Sequence, residues 1–348
     1  MEGLLKKIQD LENENQQLKK WQADMNSLCS EMIKLLEKHE KEIRETTEQQ
    51  DQLWRFATIN RWRVDSLPYE MSDPDFQLPT FKPDIISAEE TRKLITEKNY
   101  SIARFGDCEI AAIDKKQRWN YQNASEYLSK RLLEVLQSKE EGLLIGLNPM
   151  FYRSLFDLPE LDADGVRAYM NPTIRKRHAE LLDPEKQYAD ALFHNMYSDE
   201  DVSAVQKIWD NRDILLIEGK HTGSGVGNDL FCNCHSVRRI LCPAENAVDV
   251  YEDILQVALQ QPKEKIVLIA LGPTATVMAY DLHKAGYQAL DIGHVDLIYE
   301  KYRRGESDLY KVKIPYKYCS ADERNAGREI EEITDPEYLK QIIARVGI

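Results

Sequence analysis

Residues 264–296 read EKIVLIALGPTATVMAYDLHKAGYQALDIGHVD. The run from Ile266 to Ala270 is short, apolar and partly β-branched, and Gly272-Pro273 follows it as a strand-ending turn. TATVMAYDLHKAG then reads as a helix that stops at Gly286, and YQALDIG as a second short strand. Strand, helix and strand in about thirty residues make a βαβ unit, whose two strands must lie parallel. The pattern continues upstream. NYSIARFGD, GLLIGL, DILLIEG and VRRILCP read as strands, while SEYLSKRLLEVLQS, SAVQKIWDN and NAVDVYEDILQVALQ read as helices. SAEETRKLI places Ser87 three residues before Glu90, a capping-box spacing. The expectation for residues 85–348 is a Rossmann-like α/β domain, a mostly parallel sheet flanked by helices.

The first 57 residues differ: they lack proline and are dominated by Glu, Lys, Gln and Leu. Leu4, Leu11, Leu18, Met25 and Met32 recur every seven residues. Ile8, Asn15, Gln22, Cys29, Leu36 and Ile43 form a second line four residues on. Alternating spacings of four and three are a coiled-coil seam, widened here by Trp21, Leu28 and Leu35. The polar Asn15 and Gln22 cost stability in the seam but fix register. The alternative is a single amphipathic helix folded back on its own body. Self-association is the stronger reading, since so polar a helix gains little alone. The expectation is a homo-oligomer joined through residues 1–57, with dimer and trimer both open. Pro68, Pro74, Pro79 and Pro83 then predict a linker over residues 58–84.

Among the 348 residues acids outnumber bases, for a formal net charge of −14 and a pI near 5.1. That balance argues against non-specific binding to nucleic acid or to anionic membrane, though it leaves room for a local phosphate site. No apolar run approaches the ~20 residues of a membrane span, so no transmembrane segment is expected. The N-terminus lacks the pattern of a secretory signal. With no export signal, the six cysteines read as reduced thiols and the chain as cytoplasmic.

Ligands of open α/β sheets bind beyond the carboxyl ends of the strands, and four segments place polar or glycine-rich residues there. Arg104-Phe105-Gly106-Asp107-Cys108-Glu109 follows the first strand. Its Asp-x-Glu suits a hard divalent cation, magnesium or manganese, held by one or two carboxylates; the plain alternative is Asp107 capping the next helix. The loop from Gly219 to Asp229 carries Lys220, Gly225, Gly227 and Asn228, and its glycines let backbone amides approach a phosphate. It fits neither the Walker nor the dinucleotide spacing. Gly272, Pro273, Thr274 and Thr276 open the best helix, where the threonines suit capping or phosphate binding. Asp291-Ile292-Gly293-His294-Val295-Asp296 ends the last strand with an imidazole and two acids. Cys232, Cys234, His235 and Cys242 are spaced too tightly for a zinc hairpin and have no second ligand pair.

These segments, RFGDCE, GVGNDLF with SVRRILCPAENA, LIALGPTATVMAYDL and GYQALDIGHVD, resemble the GT-D-type glycosyltransferases, a bacterial family first catalogued as a domain of unknown function. The resemblance spans roughly residues 85–340 and omits the arm. It implies a metal-dependent hexosyltransferase taking a UDP-hexose, UDP-glucose or UDP-galactose, to a glycan or glycoprotein acceptor. By the same resemblance Asp107 and Glu109 form the metal-associated motif. Arg104, Gly106, the loop from Gly225 to Asp229, Gly272 to Thr276 and His294 lie near the donor. Two departures stand out: Cys108 replaces a common glycine inside the Asp-x-Glu, and Gly223 stands where an arginine is expected, with Lys220 as a possible substitute charge. If the reaction inverts configuration, Asp229, Asp296 and Glu300 are candidate bases. The rival is a non-catalytic sugar-nucleotide scaffold assembled through the coiled coil, which the Gly223 departure favours and the intact Asp107/Glu109 pair opposes.

Overall fold

The computed structural model describes residues 2–72, 82–115, 122–123, 125–169, 172–306, 309–318 and 328–348. The chain divides after Leu67 into two units. Helix α1 (Glu2–Ser72) accounts for the first and runs on into the second. It therefore passes the expected end at residue 57 and occupies much of the expected linker, with Pro68 inside it. A proline there costs the bond to the carbonyl of Val64, four residues back. Val64 is exposed, so water can take the place of the missing amide. The remaining expected linker up to residue 81, with Pro74 and Pro79, lies outside the described residues.

The second unit continues with β1 (Asp84–Ile85), α2 (Ala88–Lys98), β2 (Ser101–Phe105), α3 (Asp107–Ile113), α4 (Glu126–Gln137) and β3 (Leu143–Leu147). Then come α5 (Glu160–Tyr169), α6 (Pro172–Leu181), β4 (Gln187–Asp190), α7 (Asp199–Gln206), β5 (Asp213–Gly219) and β6 (Ser236–Cys242). Last are α8 (Tyr251–Leu259), β7 (Ile266–Ala270), α9 (Pro273–Lys284), β8 (Gln288–Asp291), α10 (Val295–Arg303), α11 (Pro336–Gln341) and β9 (Ile342–Arg345). The nine strands form one sheet in the order β1-β4-β3-β2-β8-β7-β5-β6-β9. Every pairing in it is parallel.

Successive strand residues turn to opposite faces, and the core divides accordingly. Phe105, Leu147, Ile217 and Ile269 pack with α4, α8 and α9 on one face. Ile102, Leu216, Leu268 and Leu290 pack with Ile95, Trp209 and α10 on the other. Both faces are covered, which is why the strands read as nearly continuous apolar runs. Proline at the first position of α9 costs nothing, because that amide has no helical partner anyway. Among the described residues no helix is long and apolar enough to cross a membrane.

Candidate active site

Strands β2 and β8 are neighbours in the sheet although most of the unit lies between them in sequence. The chain leaves β2 toward β3 on one side and reaches β8 from β7 on the other. At such a reversal of winding the connecting loops diverge and leave a crevice. Four of the expected positions meet there: Arg104, the Asp-x-Glu, Thr276 and His294.

Arg104 is the hub. Its guanidinium donates to Asp291 Oδ1 at 3.2 Å and to the carbonyl of Ala191 at 3.1 Å, and lies 3.4 Å from His194 Nε2. Thr276 Oγ1 donates to the carbonyl of Arg104 at 3.0 Å and lies 3.3 Å from Asp291 Oδ2, tying α9 to both strand ends. Gly293 makes room for the guanidinium: a Cβ there would fall 1.9 Å from Arg104 Nη2, and its φ is +47°. Arg104 Nε and His194 Nδ1 are buried and find no hydrogen-bond partner among the described residues. Two buried donors aimed at nothing are costly, so they mark a place where a ligand acceptor would be welcome.

Asp107 and Glu109 open α3, where the helix dipole favours negative charge. Glu109 Oε2 accepts from the Gly106 amide at 2.7 Å and so caps its own helix. Burial, reinforced by Asp291 and Asp107, pushes its carboxyl up to about 7. His294 is exposed in area yet closely ringed by protein, as a residue on the wall of a concavity is. That desolvation, with Arg104 and Lys317 nearby, holds its imidazole down to about 4. His194 is fully enclosed, and burial, Arg104 and His294 hold it well below the ordinary range.

The glycine-rich loop builds a second, adjoining cluster. Asp296 is buried and both its oxygens are taken: Oδ1 accepts from the Gly225 amide at 2.6 Å and from Asn228 at 2.9 Å, and Oδ2 pairs with Lys317. Asn228 also reaches Glu300 at 2.9 Å. Asp229, by contrast, is 62% exposed, with Tyr299 donating to it at 2.8 Å and Arg303 at 3.6 Å. The hydroxyl of Tyr299 holds its carboxyl below the usual range. The loop, Arg303 and α11 line a cavity of about 460 Å³. At Gly223, φ is +51° and a Cβ would meet Ile333 at 2.7 Å, while Lys317 lies 3.5 Å from the Gly223 carbonyl. An arginine at this position has no room in this chain.

Other expected positions stand apart from these clusters. Thr274 is buried and donates to Gln122 at 3.0 Å, and neither threonine caps α9 through its side chain. Lys220 is exposed beyond β5. Sequence reasoning missed His194, Lys317, Arg239 and Gln122. Only Arg239 left a local signal, one of two adjacent arginines in a strand whose neighbour carries Glu218.

Comparison with known proteins shows the family. The chain belongs to the GT-D-fold glycosyltransferase family, whose description matches residues 102–322. It is 33% identical over 274 residues to a probable glycosyl transferase, Gly, of Streptococcus gordonii, covering 76% of this chain and 39% of that protein. It is also 33% identical over 270 residues to glycosyltransferase GlyD of Streptococcus pneumoniae serotype 4, covering 74% of this chain and 32% of that one. The chain thus spans well under half the length of these curated relatives. A structure of domain of unknown function 1792, described as having a distinct glycosyltransferase fold, superposes with TM-score 0.69 at 30% identity, covering 84% of this chain and 99% of that one. A glycosyltransferase of the same domain type from Streptococcus sanguinis gives TM-score 0.66 at 30% identity, covering 76% and 99%.

Proposed function

We propose that the chain is a metal-dependent glycosyltransferase that moves a hexose from UDP-glucose or UDP-galactose to a hydroxyl of a glycan or glycoprotein. The observation that carries this reading is the burial of Glu109 beside Asp291 and Asp107, which lifts its carboxyl to about 7. Like charges held together in a half-buried crevice are a standing demand for a cation. The donors are oxygens alone, and among the described residues no three His, Cys, Asp or Glu side chains enclose a metal by themselves. That set suits magnesium or manganese on Asp107 and Glu109, with water and diphosphate oxygens completing the shell.

A bound cation would act as a Lewis acid on the departing diphosphate. The chain's own residues do the rest. Arg104 Nε and His194 Nδ1 offer donors to the anion, and His294, neutral at pH 7, presents an imidazole without a competing charge. The opening of α9 from Gly272 to Thr276, where Pro273 has no N–H to offer, adds the positive end of a helix dipole. For the acceptor proton Asp229 is the accessible carboxylate, while Asp296, with both oxygens engaged, holds the loop in place. The arm over residues 1–57 serves self-association.

Calorimetric titration of UDP, UDP-glucose, UDP-galactose, UDP-N-acetylglucosamine and GDP-mannose, with manganese and with chelator, tests the reading. The expected result is manganese-dependent binding of one UDP-hexose, weakened at least tenfold in Asp107→Ala, with transfer abolished in Asp107→Ala and Glu109→Ala. Folded protein that binds no donor would move the assignment to a scaffold built on the coiled coil.

A further inference from the structure

Helix α1 presents, over its described side chains, an apolar stripe to solvent. Leu18, Met32 and Leu36 are 64%, 57% and 64% exposed, and Trp21, Leu28 and Leu35 flank them, also exposed. The four-three spacing assigns heptad positions: Leu18, Met25 and Met32 fall at d, and Asn15, Gln22, Cys29 and Leu36 at a. At roughly 60–100 Å² each, the seam and flank side chains between Asn15 and Leu36 would bury on the order of 1,500 Å² across two copies, the size of a stable specific interface. The seam has the area for a partner. The question is which partner its chemistry selects.

The polar a positions answer it. A carboxamide carries both donor and acceptor, so Asn15 or Gln22 is satisfied in a dry seam only by a group with the same pair. In a parallel, in-register pair each a residue meets its own copy, and Asn15 faces Asn15 while Gln22 faces Gln22. An antiparallel pair sets a against d, leaving both amides against Leu or Met with their hydrogen bonds unmade, at about 1–3 kcal/mol each. A polar a position of this kind specifies register and strand number.

We propose that α1 pairs with α1 of a second copy of this chain as a parallel, in-register, two-stranded coiled coil in which Cys29 faces its own copy. This deepens the self-association assigned to the arm and is independent of the transferase reading. Cys29 is exposed in the single chain and sits at a, so in this register alone two Cys29 thiols share one heptad layer.

The test treats the full chain with diamide. Two Cys29 thiols give up two protons and two electrons, diamide is reduced to its hydrazine, and one S–S bond forms between the copies. The expected result is twice the 40.4 kDa chain mass by light scattering before oxidation. After oxidation a Cys29–Cys29 peptide appears by mass spectrometry, and the covalent dimer falls to background in Cys29→Ser, which keeps the dimeric mass. Leu18→Asp with Met32→Asp should halve the mass with donor binding unchanged. A monomeric wild type, a trimeric mass, a dimer without the Cys29–Cys29 link, or a Leu18→Asp/Met32→Asp dimer would each overturn the proposal.

Discussion

At the scale of single residues the site is set by close approach. Gly293 lets the guanidinium of Arg104 lie against the backbone, and its φ of +47° is one that side chains rarely adopt. Gly293→Ala should therefore lower stability by about 2–4 kcal/mol from strain and clash together. Gly305→Ala, at φ +65° with nothing within 4 Å, carries the strain alone and should lower it by about 1–2 kcal/mol. Equal urea midpoints for the two variants would refute the steric account. His194 supplies one part of the pH dependence. Its folded pKa is held below the unfolded 6.5 by burial, Arg104 and His294. The unfolded chain takes up a proton as pH falls through 6.5 while the folded one refuses it. The contribution is thus complete above pH 6.5 and is lost as pH falls toward the folded value. Urea midpoints at pH 7.5 and 5.0 should drop further for the wild type than for His194→Gln; equal drops would remove His194 from the account. Nothing near Phe193-His194-Asn195 in sequence announces this role, because burial and the approach of Arg104 at the end of β2 and His294 after β8 arise only in the fold.

Elements were the most legible level. Ser87 accepts from the Glu90 amide at 3.1 Å and starts α2 where the spacing places it. Ser87→Ala should cost about 1 kcal/mol in thermal or urea unfolding and leave donor binding unchanged, since the Ser87 side chain bonds its own helix and not Arg104, Asp291 or the Asp-x-Glu. A loss of donor binding without a loss of stability would contradict that reading. The strands from β2 to β8 that read as apolar runs are strands, because burial on both faces writes itself into every residue. Short β1 and β4 and the terminal β9 did not show: their pairing with β4, β3 and β6 gives them strand form that composition alone does not. Pro68 misled for a related reason. A proline forbids one hydrogen bond, and where water can replace it the helix goes on.

The whole molecule adds what no segment holds, the order of the strands, and one buried pair depends on that order. Glu218 on β5 and Arg239 on β6 are fully enclosed, 2.5 Å apart. Arg239 also donates to the Ser224 carbonyl at 2.8 Å and to Gln341 at 2.7 Å, and stacks over Tyr338 at 4.8 Å. Glu218 accepts from the Ser224 amide at 3.0 Å. The pair thus joins two neighbouring strands, the base of the glycine-rich loop and the C-terminal α11–β9 segment. Removing one partner strands a charge in the core, so Arg239→Met should cost about 3–5 kcal/mol. The loss should fall partly on the loop, weakening donor binding as well as stability. Adding Glu218→Gln removes the orphaned charge but keeps a side-chain carbonyl for the Ser224 amide, and should restore a large part of the stability. Equilibrium urea unfolding of the two single variants and the double completes the cycle. A single-variant cost below about 1 kcal/mol, or a double no more stable than Arg239→Met alone, would show that the pair is not what fixes the end of the chain to the loop.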